Sequence, residues 1–327
     1  MSNVAQPKDD RLVRWAGRNY ARFAVENNVS VVPVDEPEEV NFDEVHGIFE
    51  ELFGRIILPD YPIDDIDEPA VLDCGFGKGQ WLEGILDYTK SDAWCVGVDI
   101  YTGQGNSEEG SDDEDDEDEE LVQFEKKRWN LNVSFRTSRD PDLRPETYHL
   151  INSRVLTDGI NSSRWPDYVK ELKSLLKPGG WLQMVEVHCL FQSDSGQTAH
   201  YLERWWQYYQ DTMNRMGKDP RVGSKLGSLM RDAGFERIQY SVERLPIGRW
   251  MTVPGRPNLG KNARETVTKM IRSTTLWPFR QRANPCLTEA QYEGLLQGAE
   301  RELQQDSLKL YLNVHFAYGR RPRSRRR

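Results

Sequence analysis

Residues 70–80 read Ala-Val-Leu-Asp-Cys-Gly-Phe-Gly-Lys-Gly-Gln. An apolar run of strand type, AVLDCG, passes into three glycines at alternate positions, Gly75, Gly77 and Gly79. QWLEGILDYT at 80–89 follows, with apolar residues at helical spacing. Glycines let a backbone turn tightly and approach a ligand closely, and the helix after them presents unpaired N–H groups. Left alone, such a turn needs no ligand. A dinucleotide fingerprint would place a third glycine where Gln80 stands.

The G-x-G-x-G spacing, with Asp73 two residues ahead of it, suits a small zwitterionic cofactor tail better than a pyrophosphate. WCVGVDI at 94–100 reads as the next strand, closed by Asp99, where an acid can accept hydrogen bonds from ribose hydroxyls, with Ile100 beside it. Together these residues read as an S-adenosylmethionine site, with Asp73, Gly75, Gly77, Gly79, Asp99 and Ile100 as its binding residues.

Working outward, strands alternate with helices. LNVSFRT at 131–137 is expected as strand three and YHLINSR at 148–154 as strand four, with a helix over 165–176. KPGG at 177–180 reads as a helix stop and turn before strand five, WLQMVEVHCLF. SKLGSLMRDAGF at 224–235 is a helix ended by Gly234, ERIQYSVERLPI a sixth strand, and LKLYLNVHFAYG at 308–319 a last one. This order predicts an α/β fold with a doubly wound, mostly parallel sheet. Upstream, NFDEVHGIFEELFGRI at 41–56 is expected as a helix capped by Asn41. The expected organisation is an N-terminal extension over 1–40, one domain over 41–320 with a helical insertion at 249–306 before the last strand, and a basic tail over 321–327.

The net charge of −10 is local in origin. Eleven of the 53 acids lie within Glu108–Glu120, leaving 42 against 43 bases, and six arginines sit in the last eight residues. The acidic insertion at 106–120 is expected as a solvated, disordered loop, since like charges repel and build no core. Its alternative is a docking strip for a basic protein partner; the tail PRSRRR is a nuclear address, a nucleic-acid contact, a partner contact or a bare basic end. No run approaches the ~18 apolar residues of a membrane span, and the N-terminus lacks a signal-peptide core. Four widely spaced cysteines without a C-x-x-C pair argue against zinc and disulfide frameworks. A cytoplasmic or nuclear protein is expected, without membrane or nucleic acid as partner.

Methyl transfer from a sulfonium is a direct displacement that needs neither nucleophile nor metal, so positioning matters most and a base helps where the acceptor loses a proton. Glu186 and His188 alternate with Val185 and Val187 at the carboxyl end of strand five, facing the expected crevice, and are the candidate bases. Ser153 and Arg154 close strand four within ligand reach. His46 lies on a helix that could cover the pocket. Tyr201, Trp205, Trp206, Tyr208 and Tyr209 form either a packed helix face or a lid over a planar acceptor.

From about Arg18 to Pro322 the chain resembles the fungal LaeA-like (TAM-domain) methyltransferases, of the class I S-adenosylmethionine-dependent fold. The matching pieces are Val32–Glu38 (VPVDEPE), His46, the glycine loop, Ile151–Arg154, Trp165, Leu176–Gly180, Leu245–Trp250 (LPIGRW) and Ala317–Pro322 (AYGRRP). The resemblance implies a seven-stranded Rossmann-like sheet with an antiparallel last strand. It also implies a small organic acceptor from secondary metabolism, methylated on O or N, or else a nuclear regulator of secondary-metabolite genes acting in a protein complex; a binder without turnover is a third reading. Two departures stand out. Phe76 and Lys78 replace small residues of the family's loop, Lys78 lying near the cofactor carboxylate or in solvent. The adenine-binding acid after strand three is replaced by Thr137-Ser138-Arg139-Asp140, with Asp140 or Ser138 as substitutes.

Overall fold

A computed structural model describes residues 5–90, 92–103 and 124–323. The acidic tract and the last four residues lie outside the described residues.

The central strands are covered on both faces. They are β3 (Ala70–Cys74), β4 (Trp94–Asp99), β6 (Tyr148–Arg154) and β7 (Leu176–Ser193), after an N-terminal hairpin of β1 (Leu12–Trp15) and β2 (Arg18–Ala21). With β5 (Glu125–Arg128), β8 (Glu236–Pro246) and β9 (Leu310–Arg320) they form a seven-stranded sheet in the order β5-β4-β3-β6-β7-β9-β8. The pairs from β5 to β7 are parallel, and β9, the last strand in sequence, is antiparallel to both of its neighbours.

On one face α3 (Gln80–Tyr88) packs Trp81, Leu82 and Ile85 on Val71, Leu150 and Trp181. On the other, α4 (Trp165–Leu175) and α6 (Leu226–Asp232) cover Leu72, Val96, Ile151 and Met184. A third cluster joins α2 (Glu36–Phe53), α5 (His200–Arg215), α7 (Leu259–Gln281) and α8 (Glu289–Leu303) to Val185, Leu312 and Val314. The hairpin and α1 (Arg22–Glu26) extend this layer, with Trp15, Tyr20 and Trp277 in mutual contact at 5.0 and 5.1 Å. No helix among the described residues is long and apolar enough to cross a membrane.

Three expectations need correction. The third strand is β5, at Glu125–Arg128; residues 131–137 instead run as a loop with a 3₁₀ turn at Phe135–Thr137, and bury Leu131 and Phe135 against α4. A strand at the rim of a sheet needs no apolar alternation. Its polar side chains find partners, Lys127 on Asp142 at 2.6 Å and Glu125 on the Trp94 indole at 2.9 Å. Helix α2 starts at Glu36 rather than beside Asn41, with Pro37 and three acids in its first turn, positions that suit both. KPGG lies inside β7, where the register shifts between Tyr148 and Leu150.

A row of polar side chains crosses the buried centre of the sheet. Asp73 on β3 stands opposite Asn152 on β6, which stands opposite Gln183 on β7. The Asn152 amide donates to Asp73 Oδ1 at 2.7 Å, and Gln183 Nε2 donates to Asn152 Oδ1 at 2.9 Å. Gln183 also donates to Ile56 O and accepts from Leu58 N, tying the segment before β3 to the sheet. Replacing Asn152 by Leu orphans a buried acceptor on one side and a donor on the other. Urea unfolding should register a loss of about 1–3 kcal/mol for each; a loss below about 0.5 kcal/mol would mean the row is dispensable.

Candidate active site

The turn after β3 takes the backbone that only glycine adopts readily: φ is +76° at Gly75, +59° at Gly77 and +105° at Gly79. Each glycine amide is engaged within the fold: Gly75 N donates to Val98 O at 2.7 Å, Gly77 N to Asp99 Oδ2 at 3.1 Å and Gly79 N to Phe76 O at 2.9 Å. Asp99 thus holds the glycine turn as well as ending β4. Its other oxygen accepts from Ile100 N at 2.6 Å and Tyr101 N at 3.4 Å. A carboxylate offers about four lone-pair sites, so one remains for a ribose hydroxyl.

The two departures from the family loop do not obstruct this turn. Phe76 is buried, meets Phe124 edge-on at 5.7 Å and lies over Gly97, whose Cβ would stand 2.7 Å from its ring. Gly97 in β4 makes the room that Phe76 requires. Lys78 pairs with Glu39 of α2 at 2.9 Å at the surface.

Alternation along β6 divides its end residues. Asn152 belongs to the row with Asp73, and Arg154, two residues on, turns to the same side. Its Nη2 donates to His46 Nδ1 of α2 at 3.2 Å and its guanidinium lies 5.5 Å from the Phe49 ring. Burial and the Arg154 charge hold His46 down to about 4, so the ring is neutral, with Nε2–H toward Glu50 at 3.5 Å. Among the described residues Arg154 has no carboxylate at ion-pair distance. It faces a small cleft lined with His46, Trp81 and Gln183. Ser153 points to the opposite face, where its hydroxyl shares a 3.1 Å hydrogen bond with Tyr168 under the sheet.

Glu186 and His188 also face away from Gln183 and Arg154. The Glu186 carboxylate is buried and accepts from Leu156 N at 2.9 Å, Thr157 N at 3.1 Å and Thr157 Oγ1 at 2.7 Å, so it anchors the loop after β6. Burial pushes its acid up to about 7. His188 packs its ring on Trp206 at 5.1 Å and lies 6.0 Å from His315, and burial holds it down to about 4.

The anchored loop carries Asp158, which the sequence reading passed over. Asp158 lies within electrostatic reach of Asp99, Glu186, Tyr209 and Lys218. Lys218 is buried and bridges Gly159 O at 3.2 Å and Val29 O at 3.1 Å. The aromatic run of α5 packs inward: Trp205 is fully buried, stacks on Tyr209 at 5.1 Å and donates to Ile271 O, whereas Tyr201 is exposed.

With strand three moved, the position after it belongs to Trp129 and Asn130. Asp140 instead lies 3.6 Å from Lys127 and caps the turn at Asp142, and Ser138 accepts from Asp140 N. Neither stands where the adenine acid was expected. Asn130 is fully buried and was missed because a lone asparagine in a loop carries no sequence signal.

These residues fit S-adenosylmethionine. Asp73 offers a carboxylate, Arg154 a guanidinium without a carboxylate at ion-pair distance among the described residues, and Asp99 an acceptor. A Cβ on Gly75 would meet Leu156 at 2.4 Å, so the turn is closely bounded.

A mostly parallel sheet with this strand order and an antiparallel last strand, a glycine turn after its first strand and an acid ending the second defines a class I S-adenosylmethionine-dependent methyltransferase. The Methyltransferase domain family matches residues 45–240, and the chain belongs to that family. Among curated proteins it is 25% identical over 314 residues to "Secondary metabolism regulator LAE1" of Cochliobolus heterostrophus, covering 94% of each chain. It is 23% identical over 295 residues to "N-methyltransferase sirN" of Leptosphaeria maculans, covering 88% of this chain and 93% of that one. A solved Haemonchus contortus phosphoethanolamine N-methyltransferase 2 aligns with 96% of this chain and 71% of its own, at 13% identity and a TM-score of 0.44.

Burial pushes both Asp73 and Asp99 up to about 6. A folded value above the unfolded one means that each favours folding while protonated. That contribution is full below about pH 4 and fades as pH rises through 6. A ribose hydroxyl donating to Asp99 favours the ionised form, so cofactor binding runs the other way. Titration calorimetry with S-adenosylhomocysteine should show affinity rising between pH 5 and 7, with the slope reduced in Asp99→Asn; an unchanged slope would remove Asp99 from the site.

Proposed function

We propose that this methyltransferase acts on oxygen or nitrogen of a small organic acceptor in secondary metabolism. The observation that carries this reading is the helical cover. α2 closes on Arg154 through His46 and Phe49, and the α5–α7–α8 layer packs over the same end of the sheet, which suits an enclosed small molecule better than an open protein cleft. The relative named as an N-methyltransferase supports it; the relatives named as regulators keep a protein acceptor as the alternative.

S-adenosylmethionine supplies a methyl group already activated on a sulfonium. In this reading Asp73 takes the ammonium and Arg154 the carboxylate of its amino-acid tail, and Asp99 a ribose hydroxyl. Where the acceptor must lose a proton, Asp158 receives it. Glu186, expected beforehand as a base together with His188, then serves as the residue that holds the Asp158 loop, and His188 serves packing.

Two experiments test these assignments. Incubation of labelled cofactor with a fungal cell extract should place label in the small-molecule fraction, and Asp158→Asn should cut incorporation by about 10²–10⁴-fold without changing S-adenosylhomocysteine affinity. Label confined to protein would reverse the acceptor class. Arg154→Met should weaken S-adenosylhomocysteine binding about tenfold or more, while 5′-methylthioadenosine, which lacks the tail, binds as before; equal losses would take Arg154 off the tail.

A further inference from the structure

We infer that the N-terminal segment 5–11 forms part of the cofactor site, with Gln6 as a donor to the adenine ring and Asp10 as the latch that keeps the segment closed. The inference rests on the cofactor reading above and adds residues to it. In an α/β sheet of this kind the ligand crevice lies outside the carboxyl ends of the strands, and Asp99 marks its ribose side at the end of β4. The segment crosses the ends of β4 and β5. Asp10 accepts from Thr102 Oγ1 at 2.8 Å, just beyond β4, and from Arg128 Nε at 2.7 Å, the last residue of β5, with Arg128 Nη2 on its second oxygen at 2.7 Å. Its side chain is only 4% exposed, so this is a buried latch rather than a surface pair.

Beyond the latch the segment grips the residue after Trp129. Asn130 Nδ2 donates to Ala5 O at 3.0 Å, and Asn130 N donates to Gln6 Oε1 at 2.7 Å. The second bond fixes the orientation of the Gln6 amide, because a backbone N–H can only donate. Its oxygen must therefore face Asn130, leaving the Nε2 hydrogens on the other side. That Nε2 is buried and has no hydrogen-bond partner. An orphaned donor inside a protein calls for an acceptor. Adenine carries ring nitrogens that only accept, and the first acids after β5, Asp140 and Asp142, are engaged by Lys127. The adenine end is thus read from the N-terminal segment rather than from the loop after the third strand.

The test uses the full chain and reads binding, not turnover. Calorimetry with S-adenosylhomocysteine gives affinity; stopped-flow tryptophan fluorescence gives the dissociation rate; hydrogen exchange follows residues 5–11 with and without the ligand. Gln6→Ala should weaken affinity about tenfold, and Asp10→Ala should speed dissociation by a similar factor. Ligand should slow exchange in the segment. Lys170→Ala, an exposed residue of α4 that pairs with Asp167 at 3.4 Å outside the segment, serves as the control and should alter neither. Circular dichroism and urea midpoints identify any variant that fails to fold; the exchange measurement on the native chain then decides. Unaltered affinity and dissociation in folded Gln6 and Asp10 variants, or exchange indifferent to ligand, would overturn the inference. Failure of the native chain to bind S-adenosylhomocysteine would instead overturn the cofactor reading beneath it.

Discussion

A carboxylate at the centre of a parallel sheet is costly unless its neighbours are built for it. Asp73 survives there because Asn152 and Gln183 stand in line with it across two parallel pairings and hand hydrogen bonds along the row. The row fixes the register. A slip of one residue in β6 would bring Ser153 opposite Asp73 and send Asn152 into the α4 core. The row also fixes the cover, since Gln183 spends its remaining bonds on Ile56 and Leu58, in the segment that joins α2 to β3. One line of polar contacts therefore sets the sheet alignment, the place of Asp73 and the position of the segment that joins α2 to β3.

The glycine turn, Asp73 and Asp99 were legible because their signal is local: a strand, a turn only glycine makes easily, a helix, and an acid at a strand end. The strand β6 was legible to the residue because it is short and carries Leu150 and Ile151 at its centre. β5 was not. Glu-Lys-Lys-Arg has no apolar face, and its strand character comes from pairing with β4 and from Lys127 and Arg128 finding acids far away in sequence. The side-chain directions of Ser153, Glu186 and His188 were equally hidden. Alternation gives two faces, but only the packing of α4 against one of them says which face meets the crevice.

The charge of the chain resolves in the same manner. Two arginines of the basic end are structural: Arg320 bonds Glu236 at 2.5 Å, and Arg321 bonds Glu146 and the carbonyl of Leu176 at 2.5 Å. They fasten the end of β9 to the sheet and are not available as a free basic tail.

Two of the stretches that carry the family resemblance hold the helical cover in place. Asp35 and Glu38 of VPVDEPE grip Arg18 at 2.6 and 3.0 Å, and Glu38 also accepts from Ser273 on α7, so hairpin, α2 and α7 share one buried charge cluster. In LPIGRW, Ile247 N and the Trp250 indole both donate to Leu310 O, fixing the strand exit from which α7 departs. A glycine turn and an acid do not explain why so many ordered residues are spent on the hairpin, α2 and α7. Closing the crevice around a bound acceptor requires such a layer, because excluding water strengthens every charge contact inside it.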